Sequence, residues 1–313
     1  MELLDTSIEL TRLVFITGAV LAMLYKRQTG ITPGGIIVPA FLTIVLDKSF
    51  LSFVILLVIA FITRLLYKSF FEQKAFTRSW TVIINVWIAT ILLVAYQMIT
   101  QTNTSFMAVE SISFVIPGLI ASNAKSYGLK EVTYGLLLIT AITTIFSYVY
   151  TLIIPFKLAT KLSVELSGFE PLVVGNHYLL LFFSLAVATS MRYVFGIKAG
   201  GYLILPVMLV LAMGAPLQLL AYFGTTVVCY GLVRIILHYS LIAGLERFLL
   251  CLLLSYVAVT VVDVVAVQSW QTTFYVSPII YMTAMAVVLN DLCLRNFQTV
   301  FGNATGFLRL RSS

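Results

Sequence analysis

Long apolar runs, separated by short polar connections, fill almost the whole chain. Most of them reach the roughly 20 residues that a helix needs to cross a lipid bilayer. The pattern therefore predicts an all-α polytopic integral membrane protein with about 11 transmembrane helices. The runs cover residues 9–25, 31–46, 50–67, 80–99, 111–123, 132–155, 172–190, 199–213, 216–239, 248–268 and 272–289.

Three of the runs are short, and glycine or proline interrupts each of them. They read "GITPGGIIVPAFL" at 30–42, "FVIPGLIA" at 114–121 and "FGIKAGGYLILP" at 195–206. A short broken run fits either a short span packed among other helices or a re-entrant hairpin. The pattern alone leaves both possibilities open.

The first broken run suggests a helix start inside the membrane. Thr32-Pro33 has the form of a capped helix N-terminus, and Gly34 and Gly35 would let another backbone approach closely. Pro39 is expected to kink or end the helix. Such a segment leaves backbone N–H groups at membrane depth, and helix N-termini favour anions. It is therefore either a passage for a carboxylate-bearing substrate or a kinked site of tight helix packing.

The two halves of the chain repeat each other. "GITPGG" at 30–35 matches "GIKAGG" at 196–201, and "TRLLYK" at 63–68 matches "VRIILH" at 233–238. More weakly, "FVIPGLI" at 114–120 matches "YVSPIIY" at 275–281. These matches predict a first membrane repeat over 1–156, a short loop over 157–171 and a second, diverged repeat over 172–313. The first repeat holds six runs and the second holds five, as if its sixth were lost; a repeat of six spans, an even number, would give both copies the same orientation in the membrane.

Composition and charge support a membrane location. Hydrophobic residues make up 61% of the 313 residues and charged residues only 10%, whereas soluble domains carry about 25% charged residues. Most of the 19 Lys and Arg fall in alternate connections. Cytoplasmic loops of membrane proteins carry such an excess. We therefore expect a bacterial inner-membrane protein whose N-terminus lies outside and whose C-terminus is cytoplasmic, with no nucleic acid partner.

Arg64 and Arg234 each lie near the cytoplasmic end of an apolar run. They are either arginines that reach the interface or part of a cationic funnel for an anionic polymer. Further basic residues are candidates for docking a cytosolic partner: Lys68, Lys74, Arg78 and Arg247. The sequence contains no enzyme signature and no metal-ligand or cofactor motif. Homo-oligomerisation stays open.

A family resemblance rests on two motifs. Gly30-Ile31-x-Pro33-x-Gly35-x-x-x-Pro39 is followed by Val115-Ile116-Pro117-Gly118-Leu119-Ile120-Ala121. In this order and spacing the motifs resemble the poly-γ-glutamate biosynthesis membrane proteins called PgsC or CapC. The resemblance covers about residues 8–155, and the second half looks like a diverged copy in which Ala199 replaces the first proline. The chain thus resembles two family units in tandem.

The resemblance implies a non-catalytic membrane subunit of a synthesis and export complex. A cytosolic ATP-dependent amide ligase would make poly-γ-glutamate or a related anionic γ-glutamyl polymer, and this subunit would anchor the ligase and help to pass the polymer through the membrane. The candidate passage and anion-binding residues are Gly30, Thr32, Pro33, Gly34, Gly35, Pro39, Arg64, Pro117, Gly118, Gly196, Gly200, Gly201, Pro206 and Arg234.

Two other functions remain compatible with the sequence. One is a self-sufficient secondary transporter of a small carboxylate that uses the two halves for alternating access. The other is a structural scaffold in the lipid membrane. In the second copy, changes at the family motif leave open whether that copy retains the role of the first.

Overall fold

The computed structural model describes residues 8–74, 76–100, 115–153, 216–239, 244–270 and 278–294, with short helical pieces between 183 and 190. These residues are helical apart from turns and short irregular stretches, and none of them forms a strand. The all-α prediction is therefore confirmed, while the number of spans in the whole chain stays a prediction. The chain divides into two compact units, Met1–Pro171 and Leu172–Ser313.

The helices of unit 1 are α1 (Ile8–Thr29), α2 (Val38–Lys48), α3 (Phe50–Phe71), α4 (Arg78–Thr100), α5 (Ile116–Tyr127) and α6 (Leu129–Ile153). Those of unit 2 are α7 (Pro216–Tyr239), α8 (Gly244–Trp270) and α9 (Pro278–Leu294).

Large apolar side chains on the outer faces of the helices indicate contact with lipid. On α3, Phe61, Leu65 and Phe70 are exposed, whereas Leu56 and Ile59 are buried. Among the described residues, three helical stretches are long and apolar enough to cross a bilayer: Phe50–Phe71, Leu129–Leu152 and Leu220–Tyr239. Together with the apolar composition, these helices show a membrane protein.

Helix α2 begins later than the sequence suggested. Its N-cap is Ile37, without a side-chain cap, and Pro39 lies in its first turn. Prolines are well tolerated there because the first N–H groups of a helix have no intrahelical acceptor. The predicted helix start at Thr32-Pro33 and the predicted kink at Pro39 are therefore both wrong. Helix α5 begins in the same way, with an apolar N-cap at Val115 and a proline in its first turn.

Both short helices begin at half the depth of the bundle. The third residue of α2, Ala40, lies against Gly18 in the middle of α1. The third residue of α5, Gly118, lies against Val86, about two turns into α4. An 11-residue or 12-residue helix is about 17 Å long, roughly half of the thickness that a span must cover.

The two short helices run towards opposite ends of the bundle. Lys125 near the end of α5 bonds Thr81 near the start of α4 and Tyr67 near the end of α3. Helix α5 therefore runs from mid-depth to the end at which α3 stops, which we call the basic end. Helix α2 is followed after one residue by α3, so it runs to the opposite end. The segment from the end of α1 to the end of α2 thus traverses the bundle, and these contacts favour a short span over a re-entrant hairpin for the first broken run.

Unit 1 contains two groups of three helices, which we call three-helix units. The helices of the second group run in the opposite direction to those of the first. Each three-helix unit consists of a long helix, a short helix with proline in its first turn, a one-residue break and another long helix. The breaks correspond: Ser49 donates its backbone N–H to the Val45 carbonyl, and Gly128 donates to that of Ala124. The helix contacts correspond too, since α2 packs on α1, α3 and α6 while α5 packs on α4, α6 and α3.

The matching extends to the residues themselves. "VPAFL" at 38–42 corresponds to "IPGLI" at 116–120, and "LLVIAFITRL" at 56–65 corresponds to "LLLITAITTI" at 136–145. Leu56, Ile59 and Thr63 are buried in α3, as are Leu136, Ile139 and Thr143 in α6. Each three-helix unit crosses the bundle three times. Three is an odd number, so the second three-helix unit is inverted relative to the first.

Unit 2 shows the packing expected of a second copy. Helices α7, α8 and α9 contact one another, as α3, α4 and α5 do in unit 1. Helix α9 begins at Pro278, the proline of the weaker "YVSPIIY" match. The predicted repeat boundaries and the shared orientation of the two repeats stay predictions.

Candidate functional site

The N-terminal turns of α2 and α5 meet inside unit 1. A Cβ added at Gly34 would lie 3.1 Å from side-chain atoms of Val38 in α2, Ile120 in α5 and Leu136 in α6. Gly34 has a φ of 73°, which is accessible to glycine at little cost. Its nearest neighbours are side chains, so the expectation that it admits another backbone is wrong. Gly34 instead allows the chain to turn where the two helix starts converge.

Close backbone approach occurs at other glycines. A Cβ at Gly18 would lie 2.7 Å from the Ala40 Cα, and a Cβ at Gly118 would lie 2.6 Å from the Val86 Cα. These contacts hold each short helix start against the long helix that precedes it. Gly118 was predicted as a site residue, whereas Gly18 was not. In the sequence, Gly18 could have been recognised only as a lone glycine in an otherwise apolar helix.

The start of α2 carries unused hydrogen-bond donors. Phe41 donates its backbone N–H to the Ile37 carbonyl, but the N–H groups of Val38 and Ala40 have no hydrogen-bond acceptor among the residues that the structure describes. The proline between them has no N–H to satisfy. Donors at a helix N-terminus, at the positive end of the helix dipole, favour an acceptor or an anion.

Unused acceptors lie on the surrounding helices. Asn85 in α4 is fully buried; its Nδ2 donates to the Thr81 carbonyl, while its Oδ1 has no partner in the described part of the chain. The buried hydroxyls of Thr63 in α3 and Thr140 in α6 are likewise without partners among the described residues. Buried polar atoms are nearly always hydrogen-bonded, so each such atom calls for an explanation. The polar surroundings of α2 and α5 therefore suit a ligand with both donors and acceptors.

The other predicted residues of the first broken segment lie between the end of α1 at the basic end and the start of α2. Gly30 follows the last residue of α1 and has a backbone conformation in the left-handed region. Its N–H donates to the Lys26 carbonyl. Thr32 is buried, and its Oγ1 lies 3.5 Å from the Tyr127 hydroxyl at the end of α5. Pro33 is buried and Gly35 is half-buried. The structure thus brings the two broken segments of unit 1 together.

Arg64 is paired with a carboxylate at the basic end. Its Nη2 donates to Glu72 Oε1 at 2.8 Å, while its Nη1 is buried and has no acceptor among the residues the structure describes. The hydrogen bond from Arg64 holds the pKa of the Glu72 carboxyl below its usual value of 4.5, and the charges of Lys68 and Lys125 act in the same direction. Lys68 and Lys74 are exposed, and Arg78 begins α4.

Lys125 is a functional candidate that the sequence did not single out. Its Nζ lies 2.9 Å from the Tyr67 hydroxyl, 3.1 Å from Thr81 Oγ1 and 4.9 Å from the centre of the Tyr67 ring. Tyr67 is fully buried and Thr81 nearly so. Within the described part of the chain no carboxylate lies within ion-pair distance of Lys125. Because its partners come from two other helices, no local pattern marks it.

In unit 2 the predicted basic residues make contacts of their own. Arg234 donates from Nε to the Tyr230 hydroxyl at 3.2 Å and lies over the Tyr230 ring. Arg247 in α8 donates to Asn290 Oδ1 in α9 at 3.2 Å. Gly196, Gly200, Gly201 and Pro206 lie outside the described residues. The broken segment of the second copy therefore stays a sequence prediction.

A sequence model described as "Capsule biosynthesis CapC" matches the chain twice, over residues 17–133 and 181–300. The chain belongs to the CapC capsule biosynthesis family. Two matches in succession confirm a tandem form of CapC. The first match contains α2 and α5 and ends within α6, so both broken helices are parts of the CapC unit. No curated protein and no solved structure matches the chain.

Membership in CapC confirms the family proposed from the two Pro/Gly motifs. It places the chain in capsule biosynthesis. The roles of the individual site residues stay predictions.

Proposed function

We propose that this protein is a non-catalytic membrane subunit of a complex that makes and exports poly-γ-glutamate or a related anionic γ-glutamyl polymer. The observation that carries the proposal is the meeting of two helix N-termini at mid-depth in a CapC unit. A γ-glutamyl chain has backbone amides, which donate and accept hydrogen bonds, and a free carboxylate on each residue. Its chemistry complements the Val38 and Ala40 N–H groups and the unpaired Asn85 oxygen.

The basic end supports an entry point for an anion. The helices of unit 1 present Lys26, Lys68 and Lys125 there, and Lys74 follows α3. Positive residues are enriched on the cytoplasmic side of membrane proteins, so this end faces the cytoplasm in the proposal. A polyanion made in the cytoplasm would meet these cations first and the mid-depth helix starts afterwards.

The exposed part of the basic end is also the proposed docking surface for the ligase. Lys68 and Lys74 are exposed and lie beyond the apolar part of α3. We infer that they contact a cytosolic ATP-dependent amide ligase. Charge reversal in Lys68→Glu together with Lys74→Glu should abolish co-purification of a co-expressed ligase, whereas Lys130→Glu should not. Equal ligase recovery with all variants would contradict this docking surface.

The export role is tested in cells that carry the ligase and other subunits of the complex. Deletion of this chain should leave polymer inside the cell and remove it from the medium. The paired change Pro33→Ala and Gly35→Leu should reduce extracellular polymer while the protein stays folded. The matched change Gly200→Leu in the second copy then measures whether that copy contributes. Undiminished extracellular polymer after deletion would rule out the export role.

The inverted three-helix units favour a second candidate function. Broken helices that meet at mid-depth between inverted repeats are typical of secondary transporters. A self-sufficient carboxylate transporter would exchange labelled glutamate across liposomes that contain this chain alone. The complex subunit should show no such counterflow. Uptake that needs no ligase would favour the transporter.

A further inference from the structure

The polar residues at the basic end form a charge-unbalanced cluster. Arg64 on α3 pairs with the carboxylate of Glu72, and Lys68 on α3 and Lys125 on α5 act on that carboxylate through their charge. Three cations face one anion, and each of them lowers the pKa of Glu72. Arg64 reaches Glu72 across two helical turns, and Lys68 lies between them on the same face of α3. The cluster can therefore take up further negative charge.

Two donors in this cluster are not fully used. Arg64 engages Glu72 through Nη2 alone, although a guanidinium can hold a carboxylate with two parallel hydrogen bonds. Its Nη1 is buried and has no acceptor in the described ranges, which carries a desolvation cost. The Lys125 ammonium has three N–H groups and two hydrogen-bond partners. Both side chains would gain from a second carboxylate.

Two of the three cations, Arg64 and Lys125, are sheltered by protein, and Lys68 is exposed. The lipid-facing positions of this part of α3 are Phe61 and Leu65, whereas the Arg64 side chain is only 15% exposed. Lys125 is half-buried and rests on Tyr67 and Thr81. A lipid headgroup would approach from the outer face of α3. A ligand entering between α3, α4 and α5 would meet Arg64 and Lys125 together.

We propose that Arg64, Lys68 and Lys125 form an entry site for a carboxylate of the γ-glutamyl chain, in which Glu72 occupies the ligand position until the chain displaces it. Glu72 is a glutamate side chain, so its carboxylate resembles that of the incoming ligand. It follows the last residue of α3 and is exposed enough, at 36%, to swing away. This site deepens the proposed function and rests on it for the identity of the ligand.

The site is tested with the full chain in lipid nanodiscs and a short γ-linked glutamate oligomer. Binding is measured by calorimetry at low salt, without ligase. Arg64→Gln and Lys125→Gln should each weaken binding about tenfold, because each removes a charged hydrogen-bond donor. Glu72→Gln should strengthen binding about threefold, because it removes a competing exposed ion pair. Lys130→Gln, an exposed change outside the cluster, is the control and should bind as the unmodified protein does.

Three outcomes would overturn the site. Unchanged binding in Arg64→Gln and Lys125→Gln would show that the oligomer binds elsewhere. Weaker binding in Glu72→Gln would show that Glu72 positions Arg64 rather than standing in for the ligand. Loss of oligomer binding when phosphatidylglycerol replaces zwitterionic lipid would show that lipid phosphate fills the cluster.

The results also distinguish failure of the entry site from failure of the proposed export role. If the variants bind the oligomer like the unmodified protein while deletion of the chain still abolishes polymer export, only the entry site is wrong. If the oligomer binds with the expected residue dependence while export does not need the chain, the site stands and the export role is wrong.

Discussion

Gly118 in the first turn of α5 lies directly on the backbone of Val86 in α4, so that a Cβ at position 118 would be 2.6 Å from the Val86 Cα. No side chain fits into this contact unless the two helices separate. The contact sets the depth at which α5 begins, and with it the place where the starts of α2 and α5 meet. The absence of a side chain at Gly118 thus helps to position the candidate site.

Gly118→Ala should therefore destabilise the protein. Overpacking of a tight contact costs about 1–3 kcal/mol, and backbone atoms cannot rotate out of the way. Thermal unfolding in detergent would measure the loss. The control is Gly231→Ala in α7, where a Cβ would meet nothing within 4 Å. An equal melting temperature for Gly118→Ala and the unmodified protein would contradict the close packing of α4 and α5.

Gly34→Ala and Gly30→Ala should separate backbone strain from packing. Both glycines have a φ near 75°, at 73° and 75°, so alanine costs about 1–2 kcal/mol at either position. At Gly30 a Cβ meets nothing within 4 Å, whereas at Gly34 it would lie 3.1 Å from Ile120 and Leu136. Gly34→Ala should therefore lower the melting temperature more. Equal losses would show that the junction of α2, α5 and α6 can relax.

Cysteine labelling should show that α2 is a span. Gln28 at the end of α1 and Phe50 at the start of α3 are both exposed. In a background without the native cysteines, an impermeant maleimide added outside intact cells should label Phe50→Cys but not Gln28→Cys. Both should react after permeabilisation. Labelling of both in intact cells, or of neither, would indicate a re-entrant hairpin.

The Arg64–Glu72 pair should make stability pH-dependent at low pH. The pKa of Glu72 is lowered in the folded protein, chiefly by the hydrogen bond from Arg64. The stabilisation is therefore present above the usual pKa of 4.5 and is lost as the pH falls through the lowered value. Because Glu72 is partly exposed, the effect should be small.

Melting temperatures of the unmodified protein and Glu72→Gln, compared from neutral pH downwards, test this expectation. Their difference should shrink only below pH 4.5. A difference that is constant across this range would show that the pair does not affect stability.

Much of the fold was readable from local sequence. The apolar run at 216–239 is helix α7 with the same bounds, and the run at 50–67 is α3 extended by one turn. Hydrophobic runs of this length can satisfy their backbone in lipid only as helices. The start of α2 was not predictable in the same way. Thr32-Pro33 and Val38-Pro39 are both good local starts for a helix. The helix begins at the second of them, where Ala40 packs against Gly18.

The inverted three-helix units left a sequence signal that was missed. "LLVIAFITRL" and "LLLITAITTI" share five residues in register, but leucine and isoleucine are so common in membrane helices that the match became informative only with the matching burial of Thr63 and Thr143. Lys125 is a different case. Its partners Tyr67 and Thr81 are far away in sequence, and no pattern near Lys125 points to them.

The sequence by itself determined a helical membrane protein, a tandem CapC family and two motifs with prolines inside apolar segments. These follow from composition, run length and short motifs, because apolar residues are stable in a bilayer whatever their neighbours are. Only the tertiary structure decided that Pro39 and Pro117 both lie in first turns at mid-depth and that the charges of Arg64 and Lys125 both lower the pKa of the same carboxyl group, that of Glu72. Those relations depend on side chains from separate helices filling the same space, and the linear order of residues does not encode that directly.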